Sequence, residues 1–196
     1  MKARKAIVKR KTRETNISVD LKIDGKGKSS VKAGLPFLNH MLELLARHSW
    51  MDLKIIARGD LEVDFHHTVE DIGLVLGEAL DKALGTRKGI QRYGCAQVPM
   101  DESLSSVSVD LGGRPYYVKK MACRKKKILD FDLGLFDEFF LAFVNKARIN
   151  LHIAQMYGQE PHHAYESVFK ALAVALRSAV TVNARVGGVP SSKGRI

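Results

Sequence analysis

Cysteine is scarce, two residues in 196, and neither Cys95 nor Cys123 stands in a CxxC pair or a nucleophile-like setting. A disulfide framework is thereby excluded, and free thiols in a reducing compartment are expected. No apolar run approaches the roughly 18 residues that a bilayer span needs, and the basic N-terminus lacks a following apolar stretch. Neither a membrane segment nor a secretory signal is expected, and the chain reads as cytoplasmic. Acids are missing altogether from two segments. Residues 1–13 carry seven Lys or Arg and residues 119–127 six more, which accounts for the formal charge of +11 and leaves the remainder near neutral. Aromatic residues do not interleave with these runs, apart from Tyr116 and Tyr117 just upstream, so no nucleic-acid recognition stripe is indicated. A small anionic substrate needs far fewer cations, placed in a pocket.

What is present is enough apolar residue, 45% of the chain, to bury a core, in one domain or in two fused halves. Alternation and β-branching predict strands over 3–11, 15–24 and 28–33, with a turn at Asp24-Gly25-Lys26-Gly27. Pro36 opens a helix through about Arg47, with Phe37, Met41, Leu44 and Leu45 on one face. Strand is predicted for Leu53–Ala57 and for Leu61-Glu62-Val63. The next helix carries Ile72, Val75, Leu76, Ala79, Leu80 and Ala83 as a stripe and ends at Gly85. The order then repeats. Strands are predicted near 92–98, 103–110, 115–121 and 127–131, then a helix over 136–146, a strand over 149–156, and a helix to about Val180 with Tyr165, Val168, Phe169, Leu172, Leu176 and Ala179 inward. An α+β fold follows, built by internal duplication as two similar halves, residues 1–91 and 92–196, each a sheet with two helices on one face.

Two pentads carry the chemistry. His66-His67-Thr68-Val69-Glu70 and His162-His163-Ala164-Tyr165-Glu166 share the pattern His-His-x-x-Glu, each followed by a helical stripe. At a helix start, the Glu lies one turn beyond the two His, whose side chains diverge by about 100°. One metal cannot easily take both imidazoles, whereas two metals can take one each. Imidazole and carboxylate without thiolate suit Mn, Fe, Zn or Ni, and the ligand set does not choose among them. His152, on the strand before the second pentad, is expected to turn inward beside it, and His40, in the first turn of its helix, is a further candidate ligand. His48, at the end of that helix, reads as a dipole partner or surface residue.

Pro36-Phe37-Leu38-Asn39-His40-Met41-Leu42, the first pentad with Asp71, Arg92-Tyr93-Gly94, Pro99-Met100-Asp101-Glu102, Gly113-Arg114-Pro115-Tyr116, the second pentad, Phe169-Lys170-Ala171-Leu172 and Pro190-Ser191-Ser192-Lys193-Gly194 run in order along nearly the whole chain. On these motifs the sequence resembles the imidazoleglycerol-phosphate dehydratases of histidine biosynthesis. The resemblance implies two halves of the ribosomal-protein-S5-domain-2-like kind and a homo-oligomer of 24 subunits with metal sites between them. It implies two Mn ions per subunit, one held by His40, His67, His162 and Glu166, the other by His66, Glu70, His152 and His163. It also implies dehydration of imidazole glycerol phosphate to imidazole acetol phosphate. The metals would hold the substrate ring as an imidazolate, whose electrons expel the neighbouring hydroxyl to give a diazafulvene-like intermediate, and loss of the next C–H would yield an enol and then the ketone.

By the same resemblance Glu14 moves protons and contacts substrate, while Arg92, Arg114, Lys170, Ser191, Ser192 and Lys193 cradle the phosphate; Arg suits planar oxyanion contacts. Taken alone, Glu14 would read as an ion-paired acid at the end of a basic strand. Phe65 stands where the family commonly has an acid, and Glu160 where an Asn is usual. The basic 119–127 segment reads as a variable hairpin. Two other classes stay open: an RNA-binding protein on an S5-like scaffold with structural metal, and a dinuclear metallohydrolase.

Overall fold

Alternating burial along Thr15-Asn16-Ile17-Ser18-Val19-Asp20-Leu21 turns Ile17, Val19 and Leu21 into a core and leaves Asn16 and Asp20 in water. The structure is a computed structural model that describes residues 3–196, and Lys2 of the N-terminal basic run lies outside them. The first half comprises β1 (Lys5–Lys11), β2 (Thr15–Lys22), β3 (Ser29–Lys32), α1 (Pro36–Ser49), β4 (Asp52–Gly59) and α2 (His66–Leu84). Its sheet has the order β1-β2-β4-β3, with β3 parallel to β4 and the other pairs antiparallel. The second half comprises β5 (Tyr93–Met100), β6 (Ser103–Asp110), β7 (Tyr116–Met121), a small hairpin of β8 (Lys127–Ile128) and β9 (Phe131–Asp132), α3 (Leu135–Ala147), β10 (Asn150–Tyr157) and α4 (Pro161–Val180). Its main sheet has the order β5-β6-β10-β7, again with one parallel pair, β10 with β7. The two topologies correspond element for element, with the β8/β9 hairpin as an insertion.

The halves meet through their helices, α2 against α3 and α1 against α4. Every residue of the two predicted helical stripes is buried. Close approach of α2 to α3 depends on two glycines one turn apart. A Cβ at Gly73 would stand 2.5 Å from the carbonyl oxygen of Phe139, and one at Gly77 would press on that of Phe143. On the other side of that contact Phe136, Phe139, Phe140, Phe143 and Phe169 are fully buried. Each such side chain contributes about 1.5–3 kcal/mol of burial.

Two strand expectations are corrected. Leu61-Glu62-Val63 forms a turn closed by the Val63 amide on the Asp60 carbonyl at 2.8 Å; both edges of β4 are already paired, with β2 and β3, so a further strand has no partner there. Residues 127–131 do not run straight either, because Leu129 adopts φ +53 and folds the segment into the β8/β9 turn.

Arg87 ties the connection between the halves. Its buried guanidinium donates to the carbonyls of Leu111 at 2.9 Å, Ala147 at 2.7 Å and Arg148 at 3.0 Å, and pairs with Asp81. Burial pushes its pKa down, and Asp81 counters that. Arg87→Ala leaves the carboxylate and three carbonyls without their donor. A loss of about 3–5 kcal/mol in unfolding free energy is expected, read as a lowered denaturant midpoint.

Candidate metal centre

Pro161 at the first helical position and the Glu160 carboxylate, which accepts from the His163 amide at 2.7 Å, start α4 at the second pentad. Ahead of α2, whose capping residue Phe65 offers no polar side chain, Asp64 accepts from the His66 amide at 2.8 Å. Phe65, between Asp64 and His66, stacks on Phe131 at 6.4 Å, and Phe131 meets Phe37 at 5.7 Å. The Phe37 ring in turn lies edge-on to His162 at 5.3 Å. The hairpin inserted in the second half thus packs against the helix starts that carry His40, His66 and His162.

Helical spacing places His162, Glu166 and Lys170 one above another on α4. Across from them, His40 projects from the first turns of α1. The Nε2 atoms of His40 and His162 stand 3.3 Å and 3.1 Å from Oε2 of Glu166, and the three ligating atoms all lie within 4.8 Å of one another. On the other carboxylate oxygen, Lys170 Nζ approaches to 2.7 Å. Burial works against the charge on Glu166, but Lys170 and His40 outweigh it and hold the carboxyl below its usual range. Two imidazoles and a carboxylate converging from both halves of the chain fit a divalent transition metal.

The other candidate ligands do not join this cluster within one chain. His66 and Glu70 form their own pair at 3.5 Å, both about two-fifths exposed. The rings of His66 and His67 stand nearly perpendicular, at 89°, so His67 points elsewhere, with Nδ1 3.1 Å from Oδ2 of Asp60. His163 likewise diverges from His162 and places Nδ1 2.7 Å from Oε2 of Glu102. These contacts raise the pKa of both histidines, through Asp60 and Glu102 respectively, and Glu102 is drawn down to about 2 by His163. His152 corrects an expectation. Leu151, Ile153 and Gln155 take the inward positions of β10, so His152 faces outward, exposed and stacked on Tyr116 at 6.3 Å. It lies across the sheet from α4 and His163. His48, half-buried at the end of α1, has its pKa pushed down by burial and by the nearby Lys170, which favours the surface residue over the charged dipole partner of the two expected roles.

The phosphate-cradle candidates gather at one end of the molecule, except Lys170. Arg92 pairs with Asp110 through Nε at 2.7 Å and Nη2 at 3.0 Å, and donates from Nη1 to the Pro190 carbonyl at 2.9 Å. That bond brings the tail with Ser191, Ser192 and Lys193 alongside, and the tail continues until Ile196 packs on Gly113, next to Arg114. The Arg92 amide bonds the Ala179 carbonyl at the far end of α4. From His162 to Ala179 the helix rises about 25 Å. Lys170 sits between, in the middle of α4 and paired with Glu166. Glu14 lies in the β1–β2 turn, exposed, its amide held by Thr12 Oγ1 at 3.1 Å. The turn is tied to the first pentad because Thr15 Oγ1 and Arg10 Nε both bond Asp71, immediately after Glu70.

Sequence reasoning missed Asp60, Glu102 and Gln155. The buried amide of Gln155 bonds the Ala122 and Cys123 amides and the Tyr157 and Gly158 carbonyls, fixing the loop that leads into the second pentad. The signal for Glu102 was its place before Ser103, which matches that of Glu14 before Thr15.

Residues 33–176 match the family model described as imidazoleglycerol-phosphate dehydratase. Among similar proteins, the imidazoleglycerol-phosphate dehydratase of Geobacter metallireducens is 53% identical, covering 99% of this chain and 100% of its own length, and that of Nitrobacter hamburgensis is 52% identical over 98% of each. The crystal structure of the Staphylococcus aureus imidazoleglycerol-phosphate dehydratase has a TM-score of 0.80 at 40% identity, over 91% of this chain and 100% of that one. The Pyrococcus furiosus structure in complex with (S)-C348 has a TM-score of 0.82 at 36% identity, over 96% and 100%.

Proposed function

Because the chain belongs to the imidazoleglycerol-phosphate dehydratase family, enzymes of histidine biosynthesis, we propose that it removes water from D-erythro-imidazole glycerol phosphate with two Mn ions. The product is imidazole acetol phosphate. The observation that carries the reading is the convergence of His40, His162 and Glu166, drawn from both halves, with their donor atoms within 4.8 Å. His67 completes this set in the proposal, and His66, Glu70, His152 and His163 form the other. The metals, when bound by these residues, would supply Lewis-acid chemistry to the substrate's imidazole ring.

The chain's own groups do the rest. Glu166, charged beside Lys170, would offer one oxygen to the metal while Lys170 orients the other. Arg92, Arg114, Ser191, Ser192 and Lys193 bind the phosphate, Arg92 with a guanidinium already fixed by Asp110. Glu14 carries protons between the side-chain carbons and the departing hydroxyl. A ligand on the outer face of the second sheet and a cradle about 25 Å from His162 cannot serve one substrate molecule from one chain. The reading therefore includes a homo-oligomer, of 24 subunits by analogy with the family, in which different copies supply the parts of each site. Two free cysteines suit the cytoplasm in which it would act, and no helix among the described residues is long and apolar enough to cross a membrane.

Protein stripped with chelator and reloaded with Mn is expected to bind two equivalents per chain and to form the ketone from imidazole glycerol phosphate. An RNA-binding protein would instead give no ketone and a tight, salt-dependent RNA affinity. A metallohydrolase would release inorganic phosphate. Within the basic runs, Arg4, Arg10 and Lys119 are paired internally with Asp24, Asp71 and Asp137, which withdraws these three cations from an RNA-facing surface.

A further inference from the structure

Both halves open with a hairpin of the same length. Lys11 pairs with Asn16 across the first and Pro99 with Leu104 across the second, so Glu14 and Glu102 hold corresponding positions, one residue before β2 and β6. The pentads correspond too, which sets one hairpin acid beside His67 and the other beside His163. The halves use that acid differently. Glu102 takes Nδ1 of His163 at 2.7 Å. In the first half, Nδ1 of His67 is taken by Asp60, whose Oδ2 and Oδ1 lie at 3.1 Å and 3.3 Å. Among the described residues, the Glu14 carboxylate has no hydrogen-bond partner, although its charge is felt at His67. Gly59 stands opposite Thr15 and Gly158 against Ser103, so the counterpart of Asp60 is Gln159, an amide whose Nε2 donates to the Ala122 carbonyl at 3.2 Å and leaves His163 to Glu102. Where one half has an acid after its strand, the other uses its hairpin acid.

A carboxylate on Nδ1 fixes a histidine's tautomer and ring plane and leaves Nε2 for a metal. Building on the dehydratase reading above, we propose that Asp60 is a positioning residue: it presents His67 Nε2 to the first metal and, by occupying Nδ1, leaves Glu14 free to move protons. Glu102 does the first of these tasks for His163 and is thereby unavailable for the second. The duplicated hairpin supplies two equivalent acids, and Asp60 decides which of them stays free.

Wild-type holoenzyme is assayed first; if it forms no ketone, the functional reading fails and the variants are not needed to show it. Metal release to a competing chelator is then followed in the Mn-loaded assembly. Asp60→Ala is expected to weaken one equivalent by about 10–100-fold and spare the other, while Glu102→Gln weakens the opposite equivalent. General destabilisation would loosen both. Saturating Mn is expected to restore turnover in Glu102→Gln but to leave Asp60→Ala about tenfold or more slow, because Glu14 is drawn to the vacated Nδ1. If Asp60→Ala does not assemble, Asp60→Asn decides, with a smaller loss at the same equivalent because its amide oxygen still accepts. With active wild-type enzyme, metal release unchanged within twofold in the deciding Asp60 variant overturns the positioning role. Full turnover at saturating Mn overturns the role in freeing Glu14.

Discussion

Glu166→Ala is expected to bind one metal equivalent per chain in place of two and to lose the large assembly with it. Three groups converge on this carboxylate: His40 Nε2 and His162 Nε2 on one oxygen and Lys170 Nζ on the other. Alanine removes the only acid of the proposed first site and leaves the Lys170 ammonium facing two imidazoles. The remaining histidines would have to bind a dication beside an uncompensated cation, which is unfavourable at this separation in a partly buried site. Loss of affinity should therefore exceed the roughly 10–100-fold typical of removing a partner outside the metal's own ligands. His67→Ala should produce the same stoichiometry from the other side of the site. Metal content and native mass measured on the same sample decide the matter, and full metal with full mass in both variants would contradict the ligand assignment.

Glu14→Gln is expected to keep both metals, the native mass and the thermal midpoint, yet to slow dehydration by about 10²–10⁴-fold. The turn that carries Glu14 is held by its backbone and by Thr12, and Thr15 is anchored to Asp71, so an amide at position 14 disturbs none of these bonds. What it removes is a group able to take and return a proton. This isolates chemistry from construction in a way that Glu166→Ala cannot. Turnover within tenfold of wild type would remove Glu14 from the mechanism and leave the metal sites untouched as an assignment.

Much of the architecture was legible because it rests on periodicity. Ile72, Val75, Leu76 and Ala79 recur at helical spacing, as do Val168, Phe169, Leu172 and Leu176, and both sets are buried. The likeness of the two halves was legible for the same reason. The errors fall where a local pattern does not specify its surroundings. His152 has the right neighbours in sequence, but the side it faces depends on strand parity, and β10 carries a register shift between Gln155 and Tyr157. Leu61 and Val63 look like strand, yet whether a strand forms depends on a free sheet edge. Asp60 and Glu102 were invisible as partners of His67 and His163. The first contact spans 7 residues and the second 61, and a lone acid in a turn gives no sign of what it will meet.

The length of α4 carries a genetic consequence. With His162 at one end and the contacts to Arg92 at the other, about 25 Å away, one copy of the chain would contribute ring-binding groups to one site and phosphate-binding groups to a different one. A damaged copy in a mixed oligomer would therefore silence sites that its sound neighbours help to build, and dominance would follow from the geometry of the proposed sites. Conversely, two alleles broken at opposite ends of the helix, one in Glu166 and one in Arg92, would rebuild intact sites wherever their sound ends meet. Neither allele would show activity when expressed by itself.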